Sequence, residues 1–224
     1  GMHHFGWVTG VWRDGQGLLS RALENPEQAE PDVDPAITRA LGVIPGPYLN
    51  YVFHPDRMLA KKLGRRARAE ELIDLQDELL AEFEACLARG EKPAGLAKRK
   101  ARWYRAIIAP VMLALAEGWT GQFVVNLVNS QGPDSSIVPW LPPGAIVETG
   151  ALVQGKRFRP LAAPPIPPGV KALIQQNCAY EMLAVEAIIE RDRAKALRAL
   201  LLNPIIHTYD QAARTLEKAW SWQP

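Results

Sequence analysis

The chain has 224 residues, 48% of them hydrophobic, and sets 26 basic against 24 acidic side chains for a formal net charge of +2. Its length and apolar content support a packed globular core, and the near balance of charge excludes nucleic acid or an anionic membrane as the expected partner. The longest apolar stretches, such as IIAPVMLALA, fall short of the roughly 20 residues of a bilayer crossing; with no signal peptide before the first element, a soluble cytoplasmic protein is expected.

In chain order, Trp7 to Val11 has the content of a short strand, and Arg13-Asp14-Gly15-Gln16-Gly17 reads as a turn. A helix follows from about Leu18, and residues 25–34, proline-rich and acidic, read as a surface loop. In DPAITRALG, Asp34 is placed to cap a short helix, Pro35 to begin it and Gly42 to stop it. The prolines at 45, 47 and 55 forbid one long element across IPGPYLNYVFHP. Leu72, Leu75, Leu79, Phe83 and Leu87 recur at helical spacing, predicting an amphipathic helix over about 65–89 with a solvated acidic face. After a loop at 90–95, Tyr104 to Leu115 keeps helical period, with Pro110 expected to kink or divide it. QFVVNLVNS and AIVETGALV read as strands of one small sheet, with the turn-forming WLPPG between them. LAAPPIPPG runs extended into a helix whose stripe is Tyr180, Leu183, Ala184, Ala187 and Ile188, and ARTLEKAW lies in a terminal helix beyond the Asn203-Pro204 break. The order is that of a helix-dominated α+β fold. Cys86 and Cys178, far apart and each among apolar neighbours, read as buried free thiols.

No GxGxxG turn and no GxxxxGK[ST] loop occurs, so the chain itself carries no recognisable nucleotide-binding motif. The basic runs 64–68 and 98–102 read first as solvated helix faces, with a phosphate contact as the alternative because guanidinium forks match phosphate oxygens. His54 and His207 stand alone and lack metal-ligand spacing. The N-terminal pair His3-His4 supplies at most one metal ligand, because adjacent side chains diverge on a helix or a strand. Tyr48 and Tyr51 sit in the proline-constrained PYLNY segment, where packing is the first reading. A phenol becomes a useful base near neutrality only when positive charge lies close to it, which links the tyrosine question to the histidine one.

Several motifs, taken in order, resemble glycoside hydrolase family 4, the NAD- and metal-dependent 6-phospho-glucosidases. GMHHFGW is similar to the family's GLNHLxW, LGVIPGPYLNYV to its IPxPYLxYY, and FVVNLVN, LPPGAIVE and YEMLAVEAIIERDRAKALRALLLNPII to its later signatures. The resemblance spans essentially the whole chain but only the C-terminal part of the family. It implies one substrate and oligomerisation domain over 1–224, with a lactate-dehydrogenase-like C-terminal fold built of helices and a small, mainly antiparallel sheet. The dinucleotide-binding domain that precedes it in the family would lie outside this chain. By the same resemblance His4 stands at the metal-binding histidine and Tyr48 at the tyrosine base. His3, in place of an asparagine, and Arg99, at the start of the segment aligned with an RGG motif, fall at substrate-binding positions. The aromatic run after PYL is interrupted by Asn50 and Val52.

The implied chemistry is redox-assisted elimination from a sugar or sugar phosphate, one of the exceptions to two-carboxylate hydrolysis. NAD oxidises the sugar at C3, the tyrosine removes the acidified C2 proton, and a divalent metal, manganese by expectation, steadies the charge that develops. Neither cofactor is expected to bind tightly to this chain alone, and a homo-oligomer is implied. The alternative is a non-catalytic ligand-binding or oligomerisation module that keeps the fold.

Overall fold

The structure, a computed structural model, describes residues 5–98, 104–132, 135–162 and 165–221. Two compact units emerge, one within residues 1–58, 124–151 and 159–224, the other within 59–123 and 152–158.

The first unit opens with strand β1 (Trp7–Val8) and a hairpin of β2 (Trp12–Arg13) and β3 (Gln16–Gly17), in which Trp12 faces Gly17 and Arg13 faces Gln16. The two connecting residues, Asp14 and Gly15, have φ of 50° and 78°. Two successive positive φ values give the tight turn whose twist suits a hairpin, and Asp-Gly tolerates them. The expected strand over 7–11 thus ends at Val8, and the turn that follows makes its own ladder. Helices α1 (Leu19–Glu24) and α2 (Pro26–Ala29) come next. The second places one helical turn, with Pro26 buried, inside the segment expected to be loop; proline's fixed φ suits a first turn.

Helix α3 (Pro35–Leu41) follows the expected grammar. The Asp34 carboxylate accepts the Ala36 N–H, Pro35 opens the helix, and Gly42 closes it in the left-handed region at φ 67°. Strand β4 (Ile44–Pro45) then returns antiparallel to β1, with Trp7 opposite Pro45 and Val8 opposite Ile44. The prolines break the next stretch into a 3-10 turn (Pro47–Leu49), helix α4 (Asn50–Phe53) and helix α5 (Pro55–Lys62).

In the second unit, α6 (Arg68–Arg89) buries Leu79 and Cys86, while Leu87 is 83% exposed. The expected stripe ran one residue too far. From position 79, a residue seven further on returns within ~20° of the same face, whereas one eight further on is rotated by about 80°. A 3-10 turn (Ala94–Ala97) follows; a π-helical turn (Tyr104–Ile108) then gives way to α7 (Ala109–Glu117), divided from it just before Pro110.

The strands β5 (Thr120–Val128), β8 (Ile146–Gln154) and β9 (Arg157–Pro160) form one sheet in the order β5-β8-β9, and β6 (Ser130–Gly132) pairs antiparallel with β7 (Ser135–Ser136). The expected pairing of QFVVNLVNS with AIVETGALV is therefore present. Helices α8 (Pro168–Glu190), α9 (Arg193–Leu202) and α10 (Tyr209–Trp220) complete the chain, α9 packing on α8 and α10 on α9. Leu141, Ala145, Val147 and Cys178 form a buried cluster in the first unit, with Ile174 and Met182 packed against it. Of the stripe expected on α8, Ala187 is buried, whereas Ile188 is 74% exposed.

Candidate functional site

Of the four residues to which the sequence assigns site roles, Tyr48 is placed, while His3, His4 and Arg99 lie outside the described residues. Tyr48 occupies the middle of the 3-10 turn that follows β4. The pairing of β4 with β1 continues beyond the strands, where the Gly46 N–H donates to the Gly6 carbonyl at 2.9 Å. Glycine eases this approach, since a Cβ on residue 46 would stand 3.2 Å from the Gly6 oxygen, closer than an ordinary contact. In sequence His4 stands two positions before Gly6, and Tyr48 two positions after Gly46.

The turn is anchored from inside. Leu49 is 1% exposed, a burial worth about 1.5–3 kcal/mol, and its N–H donates to the Gly46 carbonyl at 2.9 Å. Its neighbour Tyr48 is 51% exposed. Successive residues in such a turn diverge, so sinking Leu49 turns Tyr48 toward solvent. On the β1 side the Trp7 ring lies edge-on to Phe5, 5.8 Å away, and to Phe53 on α4, 6.4 Å away, and its buried indole Nε1 has no hydrogen-bond partner among the described residues.

Downstream, the Asn50 side chain donates to the Asp32 carbonyl at 2.7 Å. His54 Nε2 lies 3.2 Å from Asp34 Oδ2, a close polar contact outside the geometry of a hydrogen bond. Reading His54 as standing alone missed that it and Asn50 both reach the loop at 32–34. Their spacing of four, on what proves to be one helical turn, was the available signal.

The basic run 64–68 serves the start of α6. Arg66 pairs with Asp74 and, at 3.4 Å, with Glu70, and Arg68 with Glu71 at 2.7 Å. The Arg66 guanidinium holds the Asp74 carboxyl below its ordinary range through their hydrogen bond. Lys98 likewise pairs with Glu78. These exposed pairs on α6 are in line with the first reading of the run 64–68; of the run 98–102, only Lys98 lies within the described residues. His207 is exposed, its backbone N–H held by the Gln211 side chain at 3.0 Å. Cys86 and Cys178 are buried and free, and burial pushes the Cys178 thiol upward.

Among the described residues, no three His, Cys, Asp or Glu side chains gather as a metal site, and no helix is long and apolar enough to cross a membrane. An open apolar groove of about 540 Å³ lies beside α8, lined by Ile146, Cys178, Met182 and Val185 among others, and Tyr48 is not in its lining.

Comparison with known proteins gives a consistent assignment. A family model described as the family 4 glycosyl hydrolase C-terminal domain matches residues 1–206. Maltose-6'-phosphate glucosidase of Bacillus subtilis (strain 168) is 25% identical over 237 residues, covering 97% of this chain and 51% of the relative. The 6-phospho-beta-glucosidase BglT of Thermotoga maritima is 24% identical over 223 residues, covering 97% and 52%. The chain thus spans about half the length of these curated relatives. Among solved structures, the Thermotoga maritima 6-phospho-beta glucosidase with NAD and glucose-6-phosphate superposes with a TM-score of 0.81 at 24% identity, over 97% of this chain and 52% of that one. A 6-phospho-alpha-glucosidase from gut microorganisms in complex with NAD and Mn2+ gives 0.76 at 24% identity, over 98% and 52%. The helix-rich architecture with small antiparallel sheets is shared with these structures.

Proposed function

Because the chain belongs to the family 4 glycosyl hydrolases, through their C-terminal domain, we propose that it provides the substrate half of an enzyme cleaving phosphorylated glucosides by NAD- and metal-dependent elimination. Tyr48 is the base in this reading, His4 a metal ligand, and His3 and Arg99 bind substrate. Residues 1–224 act as one substrate and assembly domain that self-associates, in the cytoplasm, and a dinucleotide-binding domain completes the active enzyme.

One observation carries the reading. The β1/β4 pairing and the Gly46–Gly6 hydrogen bond tie the segment just after His4 to the segment just before Tyr48. Gly6 and Gly46, 40 residues apart in sequence, thereby belong to one local framework, and half-exposed Tyr48 stands two positions beyond Gly46. The donor chemistry is compatible with a shared metal in part only: an imidazole is a good ligand for a divalent ion, no three His, Cys, Asp or Glu side chains gather as a metal site among the described residues, and in this reading the other ligands belong to the rest of the complete enzyme.

The work of this chain's own residues follows from that arrangement. Tyr48 takes the proton from the sugar C2, and the anchored turn beneath it holds the phenol oxygen at one position. In the same reading Arg99 would bind the substrate phosphate, for which a guanidinium fork is the best-matched partner. NAD and the metal, when bound, supply the hydride chemistry and the cationic field that lets a phenol act as a base near neutral pH.

The test joins this chain to the N-terminal half of the Thermotoga maritima relative and assays p-nitrophenyl 6-phospho-glucosides of both anomers with NAD, Mn2+ and a reductant. Turnover is expected, with exchange of the C2 hydrogen for solvent deuterium. Tyr48→Phe should lower kcat by about 10²–10⁴-fold, the usual contribution of a positioned acid or base, and His4→Ala should weaken the dependence on Mn2+. A folded, NAD-binding fusion that binds glucose-6-phosphate without turnover would overturn the catalytic reading in favour of the ligand-binding module.

A further inference from the structure

A three-residue 3-10 turn has too few internal hydrogen bonds to fix a catalytic side chain by itself. The turn carrying Tyr48 is held by its surroundings: Gly46 is tied to Gly6 before it, and Leu49 is sunk into the core. Neither of these fixes the downstream end, where the chain passes straight into α4.

That end is held by the loop at 32–34. Asn50, the first residue of α4, donates its side-chain amide to the Asp32 carbonyl at 2.7 Å. His54, immediately after α4, sets its imidazole 3.2 Å from Asp34 Oδ2. The two holds lie four residues apart on α4 and two residues apart on the loop, so they resist both sliding and rotation of the short helix. The loop is itself fixed, because the other oxygen of Asp34 accepts the Ala36 N–H at 2.9 Å and caps α3. The backbone of His54 closes the frame: its N–H donates to the Asn50 carbonyl at 2.8 Å, and its carbonyl accepts the Met58 N–H at 2.9 Å.

We propose that Asn50 and His54 are positioning residues for Tyr48, a two-point clamp through which the cap of α3 sets where the phenol stands. The proposal rests on the reading of Tyr48 as the base. Its consequence is specific: loosening the clamp displaces the phenol without removing any group that touches the substrate. A displacement of about 1 Å from reacting geometry can cost on the order of 10²-fold in rate.

The experiment uses this chain with tyrosines labelled at ¹³Cζ, the Tyr48 line being assigned by its disappearance in Tyr48→Phe. In Asn50→Ala and His54→Ala the Tyr48 line should shift or broaden while those of Tyr180 and Tyr209 stay in place, and the Leu49 and Asn50 amides should exchange at least about tenfold faster, equivalent to ~1.4 kcal/mol of lost protection. The gentler variants Asn50→Asp, which keeps the shape and removes the donor, and His54→Gln, which keeps a polar group near Nε2, serve if the alanine forms do not fold. Asn50→Asp should reproduce the loss and His54→Gln should restore most of it. In the fusion enzyme the alanine variants should lower kcat, taken per folded molecule so that a smaller folded fraction does not count, by about 10–100-fold and leave KM within about twofold. Folded variants with an unmoved Tyr48 line and unchanged amide exchange would overturn the clamp. An inactive fusion with the Tyr48 line moved as described would instead overturn the catalytic reading and leave the clamp standing.

Discussion

Replacing Asn129 by alanine tests the packing logic of the first unit. Its side chain is fully buried, at 0% exposure. The amide Nδ2 lies 3.0 Å from the carbonyl oxygens of Val138 and Leu141 and 3.1 Å from that of Pro142, while Oδ1 accepts the Val138 N–H at 2.8 Å. An amide has only two hydrogens to give, so three carbonyls share two donors and the side chain is worth about three hydrogen bonds. At a net contribution of about 1 kcal/mol each, Asn129→Ala should cost about 3 kcal/mol, a large fraction of the roughly 5–15 kcal/mol by which domains are stable. Urea denaturation should show a lower midpoint at unchanged slope. Asn129→Asp should lose more at neutral pH, because a carboxylate oxygen would then face the same carbonyls. Those neighbours would raise the folded-state value of the new carboxyl above its unfolded one, so its penalty relative to wild type should shrink as pH falls from 7 toward 4. A loss below about 1 kcal/mol for the alanine variant would refute the assignment of this side chain as the organiser of residues 137–145.

Three further outcomes follow from other positions. Asp192 caps α9 by accepting the Lys195 N–H at 2.9 Å, and that bond holds its carboxyl below the ordinary range. Asp192→Ala should therefore destabilise the protein above the unfolded carboxylate value of about 3.9, and thermal melts should show the difference from wild type vanishing as pH falls below it through the lowered folded value. Gly42 sits at φ 67° with nothing within 4 Å of an added Cβ, so Gly42→Ala meets backbone strain alone. It should cost about 1 kcal/mol, or ~2–4 °C in Tm, and an unchanged Tm would refute the left-handed cap. Cys86 and Cys178, both buried, with burial raising the Cys178 thiol, should react with a disulfide reagent at least about tenfold more slowly in the native protein than in denaturant; fast native labelling of two thiols would contradict their burial.

Some of this protein is written in short-range chemistry. Asp34, Pro35 and Gly42 delimit α3 because capping, a fixed φ and tolerance of the left-handed region are properties of those residues themselves. The strand pattern of FVVNLVN and AIVETGALV reappears as β5 and β8 for the same reason, since alternation needs only a sheet with one covered face. The family, too, was legible in the order of the sequence motifs, and the match over residues 1–206 bears it out.

Other features depended on what lies across the fold. Leu87 and Ile188 carry the right chemistry for a core and are exposed, whereas Cys86 and Ala187 are buried, because periodicity marks an apolar stripe while the covering partner decides which edge of it is used. Asn129 looked like an ordinary polar residue in a strand motif until the carbonyls of 138, 141 and 142 were brought around it.

Tyr48 shows both halves of this division. Its sequence context determined a proline-constrained turn with a phenol in it, since proline's φ and its missing N–H act wherever the residue stands. Only the tertiary structure decided that Gly46 meets Gly6 and that Asn50 and His54 meet the loop at 32–34. Contacts between residues that far apart in the chain come from closure of the fold, and local preference carries no record of which distant backbone will be waiting there.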